Sequence, residues 1–250
     1  MNLFSFLILS VFYSGMSQAQ VPMDQQTRHR VEEVVSVFEN SSLKLQYAYI
    51  EALGDGRGYT AGRMGATTAT GDLLATVQRY LKIDSNSEFK KILPLLVERA
   101  KSESGSIVGL ESLPRLWKQA ARDPKFVQVQ DELENEMIYL PTVKLTKKAK
   151  VKSHLGFLCL YDTLVQHGEE ELTQILARLK PAYPSEAAFL SDFLDLRFQF
   201  LYFPGDPSTR DEWRESSGRI FALKKLIREK NLTLEGPFSI NPFGEAFVIP

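Results

Sequence analysis

Residues 31–60 of the 250-residue chain read VEEVVSVFENSSLKLQYAYIEALGDGRGYT, and this stretch decides the fold class. Apolar residues return every three or four positions from Val31 to Phe38, which predicts an amphipathic helix over 24–39. Apolar and polar residues then alternate through 45–50, which predicts a strand. Three glycines within 54–58 break this strand with a tight turn that leads into a second strand near Tyr59.

The helical period returns after Thr70-Gly71-Asp72, where Thr70 or Asp72 can serve as the N-cap. Further helices are predicted at 87–101, 112–121, 124–138, 146–167, 170–180, 185–203 and 209–230. We expect prolines to bend or bound these segments, at Pro94, Pro124, Pro141 and Pro181. The Ser/Gly stretch at 102–106 predicts a loop between two lobes. The sequence therefore predicts an α+β fold, mainly α-helical, with a small antiparallel sheet beside a cleft.

Composition limits the partners of this protein. Hydrophobic residues make up 44% of the chain, enough to bury a substantial core. Thirty basic residues against thirty-one acidic ones give a net charge of −1, which argues against a nucleic-acid partner. Cys159 is the single cysteine of the sequence, so no intrachain disulfide can form, and its apolar surroundings predict a buried, inert thiol.

The N-terminus resembles a secretory signal peptide. Residues 3–16 are uncharged and mostly apolar, but the run is too short to span a bilayer comfortably. The small residues of Ser17-Gln18-Ala19 place the cleavage after Ala19. We therefore expect a signal peptide at 1–19 and a secreted, extracellular domain at 20–250 with no membrane partner. Because no Lys or Arg precedes the run, a membrane tether or a buried helix remain alternatives.

Two carboxylates stand out in the opening stretch. Glu39 closes the first helix beside Phe38, where partial desolvation would raise its pKa and keep a proton available. Asp55 lies on the glycine turn near Arg57, so it should stay ionised and could take a proton from water. A glutamate at a helix end and an aspartate in a glycine turn are also common structural choices, so this pattern alone leaves both interpretations open.

Charged and aromatic residues elsewhere give a second set of candidates. Asp162 and Arg197 lie in apolar helical stretches, so they could pair with each other or reach toward Glu39, although an exposed edge or a purely structural salt bridge is equally compatible. Four tyrosines could stack on sugars but are more often core residues, namely Tyr47, Tyr49, Tyr59 and Tyr80. The widely spaced histidines and the glycine stretch match no zinc or dinucleotide motif, so we expect no metal and no cofactor.

Several of these segments closely resemble the signature of the glycoside hydrolase family 46 chitosanases. The resemblance rests on Phe38-Glu39-Asn40, Leu45-Gln46-Tyr47, residues 54–60 and Ala69-Thr70-Gly71-Asp72. It continues, in the same order, through Tyr161-Asp162-Thr163, Gln166-His167-Gly168, residues 193–197, residues 209–216 and residues 231–249. It thus covers essentially the whole chain after the predicted signal peptide.

The resemblance implies a two-lobed fold of the lysozyme-like superfamily and an inverting, endo-acting cleavage of β-1,4-linked glucosamine. It implies that Glu39 is the general acid and Asp55 the general base. Thr60 would help to hold the attacking water.

The same resemblance implies that Arg57 and Asp72 contact the substrate, Asp72 through a glucosamine ammonium. Asp162 and Arg197 would join a buried charge network that supports Glu39, with Arg178 as a further candidate member. Ala66 stands where an aromatic residue is frequent in the family, which leaves the subsite preference open.

We therefore expect a monomeric endo-chitosanase whose partner is chitosan, a cationic polysaccharide. Acidic residues of the predicted groove would attract this polycation, namely Glu39, Glu51, Asp55 and Asp72. Two alternatives remain at this stage: a lysozyme-type muramidase, and a non-catalytic polysaccharide-binding protein on the same scaffold.

Overall fold

The computed structural model describes residues 23–204 and 210–250, so the predicted signal peptide lies outside the described residues. Within these ranges the chain is mainly helical and carries two small antiparallel sheets, which confirms the predicted fold class. In the same ranges, no helix is both long enough and apolar enough to cross a membrane.

The first helix, α1 (Gln25–Asn40), follows the predicted period closely. Asp24 is its N-cap, and its side chain accepts a hydrogen bond of 2.7 Å from the Thr27 amide. The helix ends where Ser41 adopts a left-handed conformation, with φ 48°. The buried stripe from Val31 to Phe38 packs into a hydrophobic core, which leaves Glu39 on the open side of the last turn.

A three-stranded antiparallel sheet follows, formed by β1 (Ile50–Ala52), β2 (Tyr59–Ala61) and β3 (Ala66–Thr67). The second strand begins where the glycine pattern predicted it. The strand predicted over 45–50 is wrong apart from its last residue, because 45–49 is irregular. The Tyr47 carbonyl accepts bonds from the side chains of Trp117 and Gln130, at 2.9 and 3.1 Å, so it is not available to a neighbouring strand.

Four helices share a hydrophobic core with this sheet: α2 (Asp72–Ile83), α3 (Phe89–Lys101), α4 (Leu113–Ala120) and α5 (Pro124–Glu134). Their core centres on edge-to-face aromatic contacts of Phe126 with Trp117 and Tyr80, both with ring centroids 4.9 Å apart. We call the sheet and these helices the small lobe. The loop at 102–106 connects α3 to α4 inside this lobe, so its predicted position between lobes is wrong.

The small lobe continues into the rest of the molecule through one nearly continuous helical run. A π-helical segment (Asn135–Tyr139) joins α5 directly to α6 (Leu140–Lys148). The break predicted between residues 138 and 146 is therefore wrong, whereas Pro141 bounds a helix as predicted. Pro141 lies in the first turn of α6, after a π turn in which Leu140 bonds to Asn135, and there a missing amide proton removes no α-helical bond.

The large lobe contains α1, α6 and all the elements that follow α6 in the chain. Its remaining elements are α7 (His154–Ala177), α8 (Glu186–Tyr202), α9 (Arg210–Glu215), α10 (Gly218–Arg228), β4 (Phe238–Ile240) and β5 (Phe247–Ile249). Cys159 is fully buried in α7, and burial raises the pKa of its thiol, as expected for an inert cysteine. The second core lies between α1, α7, α8 and α10.

Three boundaries in the large lobe differ from the prediction. The helix predicted from residue 146 begins at His154, because α6 ends at Lys148 and a turn follows. The single helix predicted over 209–230 is two helices, α9 and α10, which are separated at 216–217. The third difference is the hairpin of β4 and β5 near the C-terminus, since no strand was predicted after residue 230.

Candidate active site

Glu39 lies in the last turn of α1 and is bound by an arginine from a distant part of the chain. Arg219, near the start of α10, donates from Nη1 to Glu39 Oε1 at 2.8 Å. Its Nη2 donates to the Phe38 carbonyl at 3.1 Å. The last turn of α1 contains no basic residue of its own, so Arg219 supplies the positive charge that a helix C-terminus favours. This guanidinium thus fixes both the helix end and the carboxylate.

Arg219 is held in turn by the buried Asp162, which also binds Arg197. Its Nη1 donates to Asp162 Oδ1 at 3.0 Å, while Arg197 Nη1 donates to Asp162 Oδ2. Arg197 also donates to the side-chain oxygen of Gln166. Asp162 and Arg197 have 0% relative exposure and Arg219 has 3%. Two arginines, one aspartate and Glu39 form a balanced chain of charges, as buried ions require.

Burial and charge act in opposite directions on this network. Burial alone would lower the pKa of Arg219, but the negative charges of Asp162 and Glu39 outweigh it and raise that pKa. Burial lowers the pKa of Arg197, although Asp162 opposes the shift. Since an arginine side chain loses its proton only far above neutral pH, both guanidinium groups are charged.

The network differs from the sequence-based expectation in three ways. Glu39 is not shielded by an apolar pocket beside Phe38, because its side chain is 39% exposed and contacts the Arg219 guanidinium. Arg178 is not part of the network, since its guanidinium lies over the ring of Phe200 at 4.7 Å. Arg219 itself was not predicted. It follows Gly218 at the start of a mostly apolar helix, the same signal that singled out Asp162 and Arg197.

Asp55 lies on the turn between β1 and β2 and is bound by its neighbour Arg57. The Arg57 amide donates to Asp55 Oδ1 at 3.0 Å, and its guanidinium donates to Oδ2 from Nε at 2.8 Å and from Nη2 at 2.6 Å. Partial burial alone would raise the pKa of Asp55. The hydrogen bonds and charge of Arg57 outweigh this effect and lower the pKa below its ordinary value. Asp55 is therefore ionised at neutral pH, as predicted.

The loop after α3 supports the Asp55 turn from behind. A Cβ atom placed on Gly105 would lie only 1.9 Å from the Gly56 carbonyl oxygen, so a larger residue would displace the turn. Gly56 itself has a left-handed φ of 82°, which glycine tolerates best. The 102–106 loop thus positions a candidate catalytic residue, a role that its Ser/Gly composition did not reveal.

A cavity of about 360 Å³ lies beside Glu39. Its walls include Glu39, Arg57, Thr60 and Arg219. Thr60, on β2, is 7% exposed, and its hydroxyl has no hydrogen-bond partner within the described part of the chain. Asp55 is not part of these walls, but its partner Arg57 is. The hairpin therefore brings Thr60 and the Asp55–Arg57 pair to the rim of the cavity that contains Glu39.

Asp72 lies away from this cavity and is engaged at the start of α2. Its Oδ1 accepts from the amides of Thr67 and Leu73 at 2.7 and 3.0 Å, and from the Thr70 hydroxyl at 2.5 Å. Gly71, rather than Thr70 or Asp72, is the N-cap residue. One oxygen of Asp72 thus stabilises the turn, which leaves Oδ2 for an outside partner.

A second charge cluster, which the sequence did not suggest, forms part of the cavity wall. Arg63 pairs with Glu32 of α1 at 3.3 Å and with Asp131 of α5. Glu134 accepts from the Tyr161 hydroxyl at 2.6 Å. Burial raises the pKa of Glu134, although the hydrogen bond from Tyr161 and the charge on Arg63 oppose this. The cluster connects both lobes beneath the cavity.

The four tyrosines considered for sugar stacking have different positions. Tyr59 and Tyr80 are buried in the small-lobe core, as the structural interpretation expected. The Tyr47 hydroxyl donates to Asp131 at 2.7 Å. Tyr49 lies in the cavity wall, where its hydroxyl bonds to Glu51 at 3.2 Å. Among the four, Tyr49 is therefore the best placed to meet a sugar.

Comparison with known proteins agrees with this arrangement. The sequence profile of glycosyl hydrolase family 46 matches residues 33–238, which include every residue of the Glu39 network and of the Asp55 turn. The chain belongs to glycosyl hydrolase family 46. It is therefore a glycoside hydrolase, and the family fold explains the two lobes around a cleft.

Relatives within the family are similar over most of their length. A chitosanase from Bacillus subtilis (strain 168) is 36% identical, with 98% of this chain and 94% of the relative covered. A chitosanase from Streptomyces sp. (strain N174) is 32% identical, with 87% and 80% covered.

Solved family 46 structures share the fold closely. Native chitosanase from Bacillus subtilis MY002 has a TM-score of 0.84 at 37% identity, with 92% of this chain and 100% of that chain covered. A family 46 chitosanase from Gynuella sunshinyii in complex with chitotetraose has a TM-score of 0.84 at 38% identity, with 92% and 99% covered.

Proposed function

We propose that this protein is a secreted, endo-acting chitosanase that cleaves β-1,4 linkages between glucosamine residues with inversion of configuration. The single observation that carries the proposal is the cavity of a family 46 glycoside hydrolase with Glu39 in its wall and an ionised Asp55 on the adjoining hairpin. The relatives that match nearly the whole chain are chitosanases, which supports the substrate.

Glu39 is the proposed general acid. Its proton would pass to the glycosidic oxygen as the bond from that oxygen to the anomeric carbon breaks. Arg219 holds the Glu39 carboxyl in place while Asp162 balances the Arg219 charge. A sugar chain over the cavity would also cover the exposed side of Glu39 and remove water from it.

Asp55 is the proposed general base. It would take a proton from a water molecule as the water oxygen attacks the anomeric carbon from the face opposite to the leaving oxygen. Ionised Asp55 is ready for this step, and the Thr60 hydroxyl, which has no partner among residues 23–204 and 210–250, could hold the water. Inversion requires room for this water. The two carboxyl groups should therefore be roughly 6.5–9.5 Å apart when the cleft is closed on the substrate.

Substrate binding is assigned to Arg57 and Asp72, together with the acidic character of the cleft. Chitosan is a polycation, and the negative charges of acidic side chains near the cavity attract its ammonium groups. In Asp72, Oδ2 would face such an ammonium while Oδ1 keeps its bonds to the turn. Arg57 lies in the cavity wall, where its donors can reach sugar hydroxyls.

A substrate panel tests the proposal. Purified protein without residues 1–19 is incubated with highly deacetylated chitosan, with chitin and with peptidoglycan, and reducing ends are measured. We expect rapid release from chitosan alone. Preferential release from peptidoglycan would indicate a muramidase. Binding of chitosan oligomers without cleavage from pH 4 to 8 would indicate a non-catalytic binding protein.

The proposed secretion and monomeric state have their own tests. Secretion rests on the signal-like residues 1–19, and protein recovered from culture medium should begin at Gln20. A protein that keeps its first residues and stays with the cells would contradict export. Light scattering of the mature chain should give the mass of one copy.

A further inference from the structure

A second cavity, of about 640 Å³, lies in the large lobe and shares no wall residue with the cavity beside Glu39. It is formed by the end of α6, the following turn, the last part of α7 and the start of α8. Its volume is within the range of small-molecule binding sites. Nothing in the proposed cleavage of chitosan uses it.

The floor of this cavity is apolar. Leu145 and Val151 are buried members of the large-lobe core, and Leu176 and Phe189 pack against that core while still lining the cavity. The ring of Tyr183 meets the Phe189 ring edge to face, with centroids 5.5 Å apart. An apolar group in the cavity would therefore extend the core and be removed from water.

The rim is positively charged. Four lysines contribute to the walls, namely Lys148, Lys150, Lys152 and Lys180. Lys180 pairs with Asp192 at 3.2 Å. Lys148 and Lys150 have no carboxylate within salt-bridge distance anywhere in 23–204 and 210–250.

One acidic residue, Glu186, lies in these walls, and the loop before α7 already satisfies it. Its Oε1 accepts from the Ser153 amide and hydroxyl at 2.9 and 2.6 Å. Its Oε2 accepts from the Lys152 amide at 3.1 Å. Glu186 is thus engaged by the loop, and within the described ranges Lys148 and Lys150 remain available to an anion.

We propose that this cavity binds an aliphatic monocarboxylate, with the alkyl chain on the apolar floor and the carboxylate at Lys148 and Lys150. A chain of about ten carbons is short enough to be enclosed by a cavity of this class. The same lysines would repel glucosamine oligomers, which are cations, so the cavity is not an extension of the substrate cleft.

Lys150 provides a sharp test because of its backbone. It has a left-handed φ of 57° just after α6, where its amide bonds to Lys147 and the Val151 amide bonds to Thr146. Glycine is favoured at this position of a helix end, so Lys150→Gly removes the side chain without straining the backbone. Lys230 has φ 58° and the same pair of bonds after α10, but it lies outside the cavity. Lys230→Gly is therefore a matched control.

The experiment is calorimetric titration of the mature chain with decanoate below its micelle concentration. Decan-1-ol and decyltrimethylammonium serve as neutral and cationic probes of the same chain length. We expect binding of one decanoate per chain, weaker at higher salt, and much weaker binding of the other two probes. Lys150→Gly should reduce decanoate affinity about tenfold with an unchanged or higher Tm, while Lys230→Gly should leave the affinity unchanged.

Three results would overturn the proposal. The first is the absence of saturable decanoate binding, also when a parallel titration with anionic phosphatidylglycerol vesicles shows binding. The second is equal affinity for decanoate and decyltrimethylammonium. The third is equal decanoate affinity in Lys150→Gly and Lys230→Gly. A Leu176→Asp variant with undiminished binding would likewise exclude the apolar floor.

Discussion

Replacing Arg219 by methionine should reduce both stability and turnover, because one guanidinium serves three acceptors. The variant loses the bonds to Glu39 at 2.8 Å, to Asp162 at 3.0 Å and to the Phe38 carbonyl at 3.1 Å. Removing one partner of a buried ion pair costs about 3–5 kcal/mol. Asp162 keeps Arg197, so we expect the lower end of this range. About 3 kcal/mol corresponds to a fall in Tm of roughly 6–12 °C for a chain of this size.

Urea unfolding and steady-state kinetics on chitosan measure the two effects separately. Arg197→Met should lose similar stability but more activity should remain, because Arg219 still binds Glu39 in that variant. Lys224→Met, which breaks the ion pair with Asp195 on the surface, should change stability far less. Unfolding of Arg219→Met at the wild-type urea concentration would contradict the proposed role of Arg219, and so would an equal loss of turnover in Arg197→Met and Arg219→Met.

Three further predictions concern the residues at the cleft. Glu39→Gln should reduce kcat by orders of magnitude, because an unprotonated leaving group departs poorly, and a near-normal kcat in this variant would exclude Glu39 as the acid. Asp55→Asn should reduce kcat as severely, or less severely if Glu51 can replace the base. Arg57→Gln should move the acid limb of the pH profile of kcat/KM to higher pH. Arg57 lowers the pKa of Asp55, and the ionised base is lost as pH falls through that pKa. An acid limb that does not move would show that it reports the titration of another group. Asp72→Asn should raise KM more than it lowers kcat, because the amide oxygen can still accept the bonds of the turn while the negative charge is gone. The effect on KM should become smaller at high salt, and an unchanged KM would exclude the ammonium contact.

Local features of this fold could be predicted from the sequence because nearby residues determine them. The spacing of Val31, Val34, Val35 and Phe38 is sufficient for α1, and the glycines of 54–58 are sufficient for the turn that carries Asp55. The positions of the two carboxylates could therefore be predicted from the pattern, although the pattern alone left a structural role equally open. The contact of Asp55 with Arg57 was also accessible, since the two residues are neighbours in the chain.

Long-range contacts decided the features that could not be predicted. The partner of Glu39 is Arg219, which lies 180 positions further along the chain. The irregular course of 45–49 follows from side chains of α4 and α5 that bond to the Tyr47 carbonyl. Arg63 likewise depends on acids from α1 and α5, which only the folded chain brings together. Periodicity contains no information about such partners.

The central claim is that Glu39 and Asp55 act as acid and base on opposite faces of the sugar, without a covalent intermediate. The most direct test follows the anomeric protons of the first products by NMR, with defined glucosamine oligomers and enough enzyme for cleavage to precede mutarotation. Inversion of a β-linkage must release the α-anomer first, and we expect that signal to appear before any β-anomer. Initial release of the β-anomer would contradict the account, because it requires a nucleophile bound to the sugar rather than a base acting on water.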